Sequence, residues 1–458
     1  MTSLSRPAGS FREIARGRLA DPDLQATFDG VTGRLKKHRL ATWDGLEDPE
    51  RLRSRAYEIR MRTIDDLERH LAAFTEQVES RGGHVHVCAS AADARKTVVA
   101  IARSAEARLV AKSKSMASEE IGLNTALEAA GMQVVETDLG EYIVQLAGGH
   151  PEHIIVPAIR QTASEVARLF EQVEGAPVSP ELQELGQVAR RQLAHVFRTA
   201  DVGVTGANFA VSETGSICLV TNEGNAGLLT ALPRVHVALL GLERLVPTLD
   251  ELAVLLQLLA RSATGQPLTS YTRLVNGPAG PGETDGPEEF HVVVIDNGRA
   301  RLRGTRYREM LACIRCGACI NVCPVYRKSG GAAYGPVYSG PMGAILVPLL
   351  TGLEHAPDLP HASSLCGACT DVCPVKIPLH GLLLELRKDL VEERITPARE
   401  RLAFRLWSFA WSRPSLYRLS TTLARLGQRL APRVGPGRAW AAERALPPLA
   451  RRRFRDRR

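Results

Sequence analysis

Over residues 1 to about 70 the apolar positions recur at helical spacing within a charge- and arginine-rich stretch. That pattern predicts a helical N-terminal arm. From about residue 72 to 262 the pattern changes, and helical runs alternate with short apolar segments bounded by glycine. The predicted strands are His84–Cys88, Leu109–Ala111, Val134–Thr137, His153–Val156, Val202–Thr205, Ile217–Val220 and Val235–Leu240. Strands alternating with helices predict an α/β domain with a largely parallel sheet. A Pro/Gly-rich loop, NGPAGPGETDGPEEF, follows at 276–290. His291–Asp296 is then expected to return as a strand at the sheet edge, ahead of an Asn-Gly turn at Asn297–Gly298. Beyond about residue 305 strand alternation stops, and the spacers read as helix or loop.

Composition narrows the class. A chain of 458 residues is expected to form two or three domains, and a hydrophobic content of 44% suits globular cores. The net charge of +8 is unevenly spread. Residues 401–458 hold 15 Arg, no Lys and only Glu443 and Asp456 as acids, so this tail is +13 and the remainder −5. No apolar leader opens the chain. The longest apolar runs, Leu252–Ala260 and Ala344–Leu350, fall far short of the ~20 residues of a spanning helix. A cytoplasmic location is expected.

Seven of the nine cysteines fall between residues 313 and 373, which reads as metal binding rather than a disulfide framework. Cys313, Cys316, Cys319 and Cys323-Pro324 follow the C-x2-C-x2-C-x3-C-P run of bacterial ferredoxins. In that run three thiolates wrap one cubane and the fourth, before proline, turns to the other. Ser363, Cys366, Cys369 and Cys373-Pro374 repeat the run with serine in the first place. Crossed ligation therefore predicts a [4Fe–4S] cluster on Cys313, Cys316, Cys319 and Cys373, and a second on Cys323, Cys366 and Cys369. The eighth ligand is left to Ser363, to a neighbour such as His361, to water, or to a labile iron; a [4Fe–4S] cluster with one non-cysteine corner is favoured. Zinc ribbons use two C-x2-C pairs, which fits this layout poorly. Cys88 and Cys218 lie in apolar strands and read as small buried hydrophobes.

Five polar turns border strands of the α/β segment: Ala111–Met116, Thr137–Tyr142, Thr205–Asn208, Ser212–Ser216 and Thr221–Asn225. Together they predict a ligand pocket at strand ends. There is no G-x-G-x-x-G and no Walker loop to support a standard dinucleotide or ATP site.

The segments AKSKSMASEEIGLN, TDLGEYIVQL, HIIVPAIR, TGANFAVSETGSICLVTNEGN, CIRCGACINVCPVYR, YSGP and SSLCGACTDVCPVKIP together resemble the lactate utilization protein B family, the iron–sulfur proteins of the lactate utilization system. The seven-cysteine pattern is similar to that family as well. The resemblance implies a helical N-terminal arm over 1–70 and a LUD-type α/β domain, similar to the CoA-transferase/isomerase superfamily, over 71–300. It further implies a mainly helical dicluster ferredoxin domain over 301–395 and a basic helical tail over 396–458. It implies an electron-transferring subunit, rather than the catalytic one, of a complex oxidising L-lactate to pyruvate. The implied partners are lactate utilization proteins A and C and an electron acceptor of the respiratory chain. An alternative rests on Ser212-Glu213-Thr214-Gly215, which is similar to the segment holding the glutamate nucleophile of some CoA-transferases; Glu213 would then be catalytic in a CoA-dependent enzyme with a regulatory cluster. In the tail, Trp407 and Trp411 stand one helical turn apart near Leu402, Arg405, Leu406 and Phe409, before the terminal RRRFRDRR. No nucleic-acid motif accompanies the arginines, and docking on a partner or peripherally on a membrane is the expectation.

Overall fold

Parallel strands covered on both faces should read as nearly unbroken apolar runs, and the central strands here do. The computed structural model describes residues 9–335, 337–428 and 448–450. Its internal contacts divide the chain into two units, Met1–Lys388 and Asp389–Arg458. Ten strands are described, all in the first unit: β1 His84–Cys88, β2 Leu109–Lys112, β3 Gln133–Glu136, β4 Val202–Gly206, β5 Phe209–Val211, β6 Ser216–Thr221, β7 Val235–Gly241, β8 Leu245–Val246, β9 Tyr271–Val275 and β10 Glu289–Ile295. Six form a wholly parallel sheet in the order β1-β10-β7-β4-β2-β3. All seven residues of β7 are buried.

The period-two alternation sorts side chains to the two faces. Val235, Val237 and Leu239 of β7 join Val293 and Ile295 of β10 in one core, with Val98 and Leu127 from the helices Ala91–Ser104 and Leu123–Ala129. The intervening Ala238, Leu240, Val292 and Val294 face the other core, with Phe74 and Val78 of the helix Leu67–Glu79. A second, mixed sheet, β8-β5-β6-β9, lies in this second layer through Ala210, Ile217 and Leu245.

Two expectations need correction. His153–Val156 is not a strand but an ordered loop. Its apolar residues are covered by the cysteine region rather than by a sheet neighbour: a Cβ on Gly317 would lie 2.9 Å from Ile154. The 291–296 segment is a strand, yet it is not at the edge. β10 inserts between β1 and β7, which explains why it carries no alternating polar residues over VVVI. β5, β8 and β9 fall outside the expected strands, because β5 and β8 are only three and two residues long and β9 is an exposed edge strand.

The N-terminal segment is helical over Phe11–Leu19, Pro22–Trp43, Pro49–Asp65 and Leu67–Glu79. Side-chain caps from Ser10, Asp21 and Asp48 start the first three. These helices do not stand apart. Pro22–Trp43 packs on the short helix Ala318–Val322 of the cysteine region, and Phe11–Leu19 packs on Tyr326–Ser329. In the second unit, helices Ala398–Trp411 and Pro414–Gly427 pack on each other. No helix among the described residues is long and apolar enough to cross a membrane.

Candidate functional site

The two cysteine motifs fold alike. Arg315 and Leu365, each one residue before the second position of its motif, both take left-handed backbone conformations (φ 58° and 55°). Gly317 and Gly367 follow, also left-handed, and each opens a one-turn helix, Ala318–Val322 or Ala368–Asp371. Each motif ends with a backbone N–H donating to the last cysteine sulfur: Tyr326 N to Cys323 Sγ at 3.5 Å and Ile377 N to Cys373 Sγ at 3.3 Å.

These turns gather the cysteines across motifs. Cys313, Cys316, Cys319 and Cys373 line one small cavity together with Met342. Cys316 and Cys373 repel each other's thiolates, and each also feels Cys313. Cys369 feels Cys323 and Cys366, and Cys323 feels Cys366. Cys319 feels its own three companions and, across the gap, Cys369. Burial first, then the neighbouring thiols, pushes Cys316 and Cys373 up to about 12 and Cys369 up to about 11. Thiols crowded and desolvated in this way are poor free thiolates. A cationic iron core that takes the place of their protons removes the conflict, so the residues present fit the group.

Ser363 is half-buried, and its hydroxyl accepts a hydrogen bond from Leu365 N at 3.1 Å. His361 and Cys366 are exposed. Cys88 and Cys218 are remote from the motifs and buried in β1 and β6; burial pushes the Cys218 thiol up to about 12.

Arginines that the sequence does not mark as a group surround the four-cysteine cavity. Arg39 donates to Val372 O at 3.1 Å, and Arg53 donates to Cys373 O at 2.8 Å and Asp371 O at 2.9 Å. Arg244 donates to Cys313 O at 3.3 Å. Arg60 is fully buried and bonds to carbonyls: it donates to Leu245 O at 2.8 Å, to Leu311 O at 3.1 Å and to Glu243 O. Burial, then Arg244, lowers its pKa to about 10, still fully charged at neutral pH. The N-terminal helices thus supply part of the cysteine site, which their sequence does not disclose.

A second, larger cavity of about 300 Å³ opens at the carboxyl ends of β2, β4 and β7. Four of the five predicted polar turns line it, through Ser113–Ala117, Asp138, Gly206–Asn208 and Thr221–Glu223. Its floor is a buried ion cluster. Glu243 meets Arg299 at 2.6 Å and Arg315 at 3.1 Å, and Arg299 also meets Glu120 at 2.6 Å. Burial pushes the Glu243 carboxyl up, but Arg299, Arg315 and Arg244 outweigh it and hold it at about 2. β7 ends in glycine because a Cβ on Gly241 would meet Glu243 Oε2 at 2.2 Å. Arg315 lines both cavities.

Comparison with known proteins agrees with this layout. A LUD domain model matches residues 71–295, a 4Fe-4S dicluster domain model 309–377, and the C-terminal model of lactate utilisation protein B 391–458. Proteins named Lactate utilization protein B from Bacillus thuringiensis, Bacillus cereus and Bacillus anthracis are 46% identical over 454 residues, covering 97% of this chain and 96% of theirs. The chain belongs to the lactate utilization protein B family. A solved DUF162 family protein from Deinococcus radiodurans is similar over 50% of the chain and 98% of its own length at 18% identity, with a TM-score of 0.29.

As a member of that family, the chain is an iron–sulfur protein with a LUD domain, and the CoA-transferase alternative is not favoured. Glu213 is exposed at the β5–β6 turn and lies outside the cavity lining. Its carboxylate accepts from Leu249 N at 2.6 Å, capping the helix Leu249–Ala263. The turn Ser212–Ser216 is therefore hairpin and cap chemistry. In the family's C-terminal segment, the Trp407 and Trp411 rings meet tilted at 5.1 Å between centroids, and Leu402, Leu406 and Phe409 are exposed. The terminal RRRFRDRR lies outside the described residues.

Proposed function

We propose that this chain is the electron-transferring iron–sulfur subunit of a cytoplasmic complex that oxidises L-lactate to pyruvate, acting with lactate utilization proteins A and C. What supports the reading is that Cys313, Cys316 and Cys319 share one cavity with Cys373 of the other motif, while Cys369 feels Cys323 and Cys366. Cys313, Cys316, Cys319 and Cys373 would hold one [4Fe–4S] cluster. Cys323, Cys366 and Cys369 would hold the second, whose remaining corner takes a non-cysteine ligand on the side of Ser363. When bound, such clusters supply one-electron relay, and two of them accept the two electrons that a 2-hydroxy acid gives up on becoming a 2-oxo acid. The chain's own residues contribute by excluding water from Cys316, Cys369 and Cys373, donating N–H groups to sulfur, and surrounding one group with guanidinium charge.

Two measurements test this. Iron analysis of anaerobically reconstituted protein should return about eight iron per chain; about four would refute the second cluster. Co-purification with lactate utilization proteins A and C, followed by L-lactate addition, should bleach the visible absorption. Absence of bleaching with all partners present, in protein that dithionite does reduce, would overturn the lactate assignment.

The basic tail belongs to the same proposal as a docking element that brings the complex to its respiratory-chain acceptor, through exposed Leu402, Leu406, Trp407 and Phe409 beside arginines. Co-sedimentation with anionic liposomes should be lost in a chain ending near Arg399. Equal binding by both would remove the membrane role.

A further inference from the structure

The cavity at the strand ends lies where the chain order of the sheet reverses, between the neighbours β2 and β4. That crevice is the usual ligand position in an open parallel sheet. At about 300 Å³ it is large enough for a small molecule.

Its donors are not all satisfied. The lining cations are Lys114, Arg244, Arg299 and Arg315; the acids are Asp138, Glu223 and Glu243. Asp138 and Glu223 are engaged with backbone, accepting from Glu141 N and Leu139 N. Arg299 is held between Glu120 and Glu243. Arg315 gives Nη2 to Glu243 at 3.1 Å, but its Nη1 is buried with no hydrogen-bond partner, on a side chain only 7% exposed. Arg244 makes one long bond to a carbonyl, and Lys114, whose charge acts on Glu223 and Glu141, makes no hydrogen bond or ion pair among the described residues. A buried guanidinium donor without an acceptor is costly. With Glu120 counted as the second partner of Arg299, four cations meet four acids, so a monoanion leaves less uncompensated charge than a phosphate dianion. The unpartnered Arg315 Nη1 and Lys114 are the donors left for a carboxylate oxygen.

We propose that this cavity binds a small organic carboxylate at Arg315, with Arg244 and Lys114 in support, and that the bound anion tunes the adjoining four-cysteine site. The coupling follows from position. Arg315 lies next to Cys316 in sequence, lines both cavities and carries charge toward Cys313. A carboxylate on its free face offsets that charge and makes the added electron at the four-cysteine site less favourable. By linkage, reduction there weakens the carboxylate. This second half rests on the iron–sulfur reading above; the binding half does not.

Isothermal titration of the full-length reconstituted protein tests binding, with L-lactate, pyruvate and acetate as probes and inorganic phosphate and glycerol as controls. Saturable binding of a carboxylate is expected, with phosphate weaker and glycerol silent. Lys114→Ala should weaken it about tenfold or more at unchanged iron content. No saturable carboxylate binding, or binding unchanged in Lys114→Ala, overturns the site. An EPR-monitored redox titration with and without saturating carboxylate should lower one midpoint of the two. Binding without any shift overturns the coupling. Protein that takes up no iron yet binds carboxylate would overturn the electron-transfer reading while leaving the site standing.

Discussion

Glu243 holds Arg315, the residue that lines both cavities. Its carboxylate is 2% exposed and neutralises Arg299 and Arg315 at once. Removing one member of a buried ion cluster leaves the others charged and unpaired, which costs about 3–5 kcal/mol. Glu243→Gln is therefore expected to lower the melting temperature sharply and to reduce iron retention; a melt unchanged from wild type would show that the cluster is solvated in solution. His236 is a second buried polar residue, and its effect depends on pH. It sits inside β7 with Thr205 of β4 on its Nε2 at 2.8 Å and Phe290 and His291 of β10 beside it, and burial lowers its pKa to about 3. In the unfolded chain the imidazole titrates near about 6.5. Stability from this residue is thus fully present above about pH 6.5 and is lost as pH falls toward 3, because only the unfolded state takes up the proton. Melting midpoints measured from pH 7 to 5 should fall more steeply for the wild type than for His236→Gln. Equal slopes would refute the assignment.

At the scale of elements, the cysteine loops and the strand-end turns were legible because their chemistry is local. A C-x2-C-x2-C-x3-C-P run or a Ser/Asn-rich turn states its conformation within a dozen residues. The loop His153–Val156 was not legible for the opposite reason. Apolar residues read the same whether they face a sheet or a cluster motif, and only long-range packing decides. Arg39, Arg53, Arg60 and Arg244 were invisible as a group on similar grounds, since each is one arginine among 50 Arg in the chain, selected by what folds against it. The loop's role yields a prediction. Gly317 needs a left-handed φ of 74°, and Ile154 lies 2.9 Å from where its Cβ would be. Gly317→Ala should cost about 1–2 kcal/mol in backbone strain alone. It should also loosen the four-cysteine site, read as iron loss that Gly131→Ala does not produce. Gly131 is also left-handed but has nothing within 4 Å. Equal iron loss in both would assign the effect to strain and remove the Ile154 contact from the account.

Across the whole first unit the two cysteine groups have unlike surroundings. Arg39, Arg53, Arg60, Arg244 and Arg315 stand around Cys313, Cys316, Cys319 and Cys373, with Glu50 and Glu243 as acids paired to them. Near Cys323, Cys366 and Cys369 the described contacts are different: Tyr326 and Tyr334 are buried, Cys366 is exposed, and Arg387 donates to Pro360 O and Ser363 O. Fixed guanidinium charge in a dry setting favours the more negative, reduced state of whatever the thiolates hold. Exposure and a missing cysteine instead favour loss of iron to oxidants and chelators. The two sites should therefore answer to different perturbations. Arg39→Gln removes a cation whose charge acts on Cys316 and Cys373, so it should lower one of two midpoints in a redox titration and leave the other in place. Mild ferricyanide treatment of the wild type should strip the other site first, giving a three-iron EPR signal while the midpoint sensitive to Arg39 persists. If the Arg39-sensitive midpoint disappears first, exposure at Cys366 and the serine at 363 do not control lability, and the direction of electron flow between the groups has to be sought in the partner proteins.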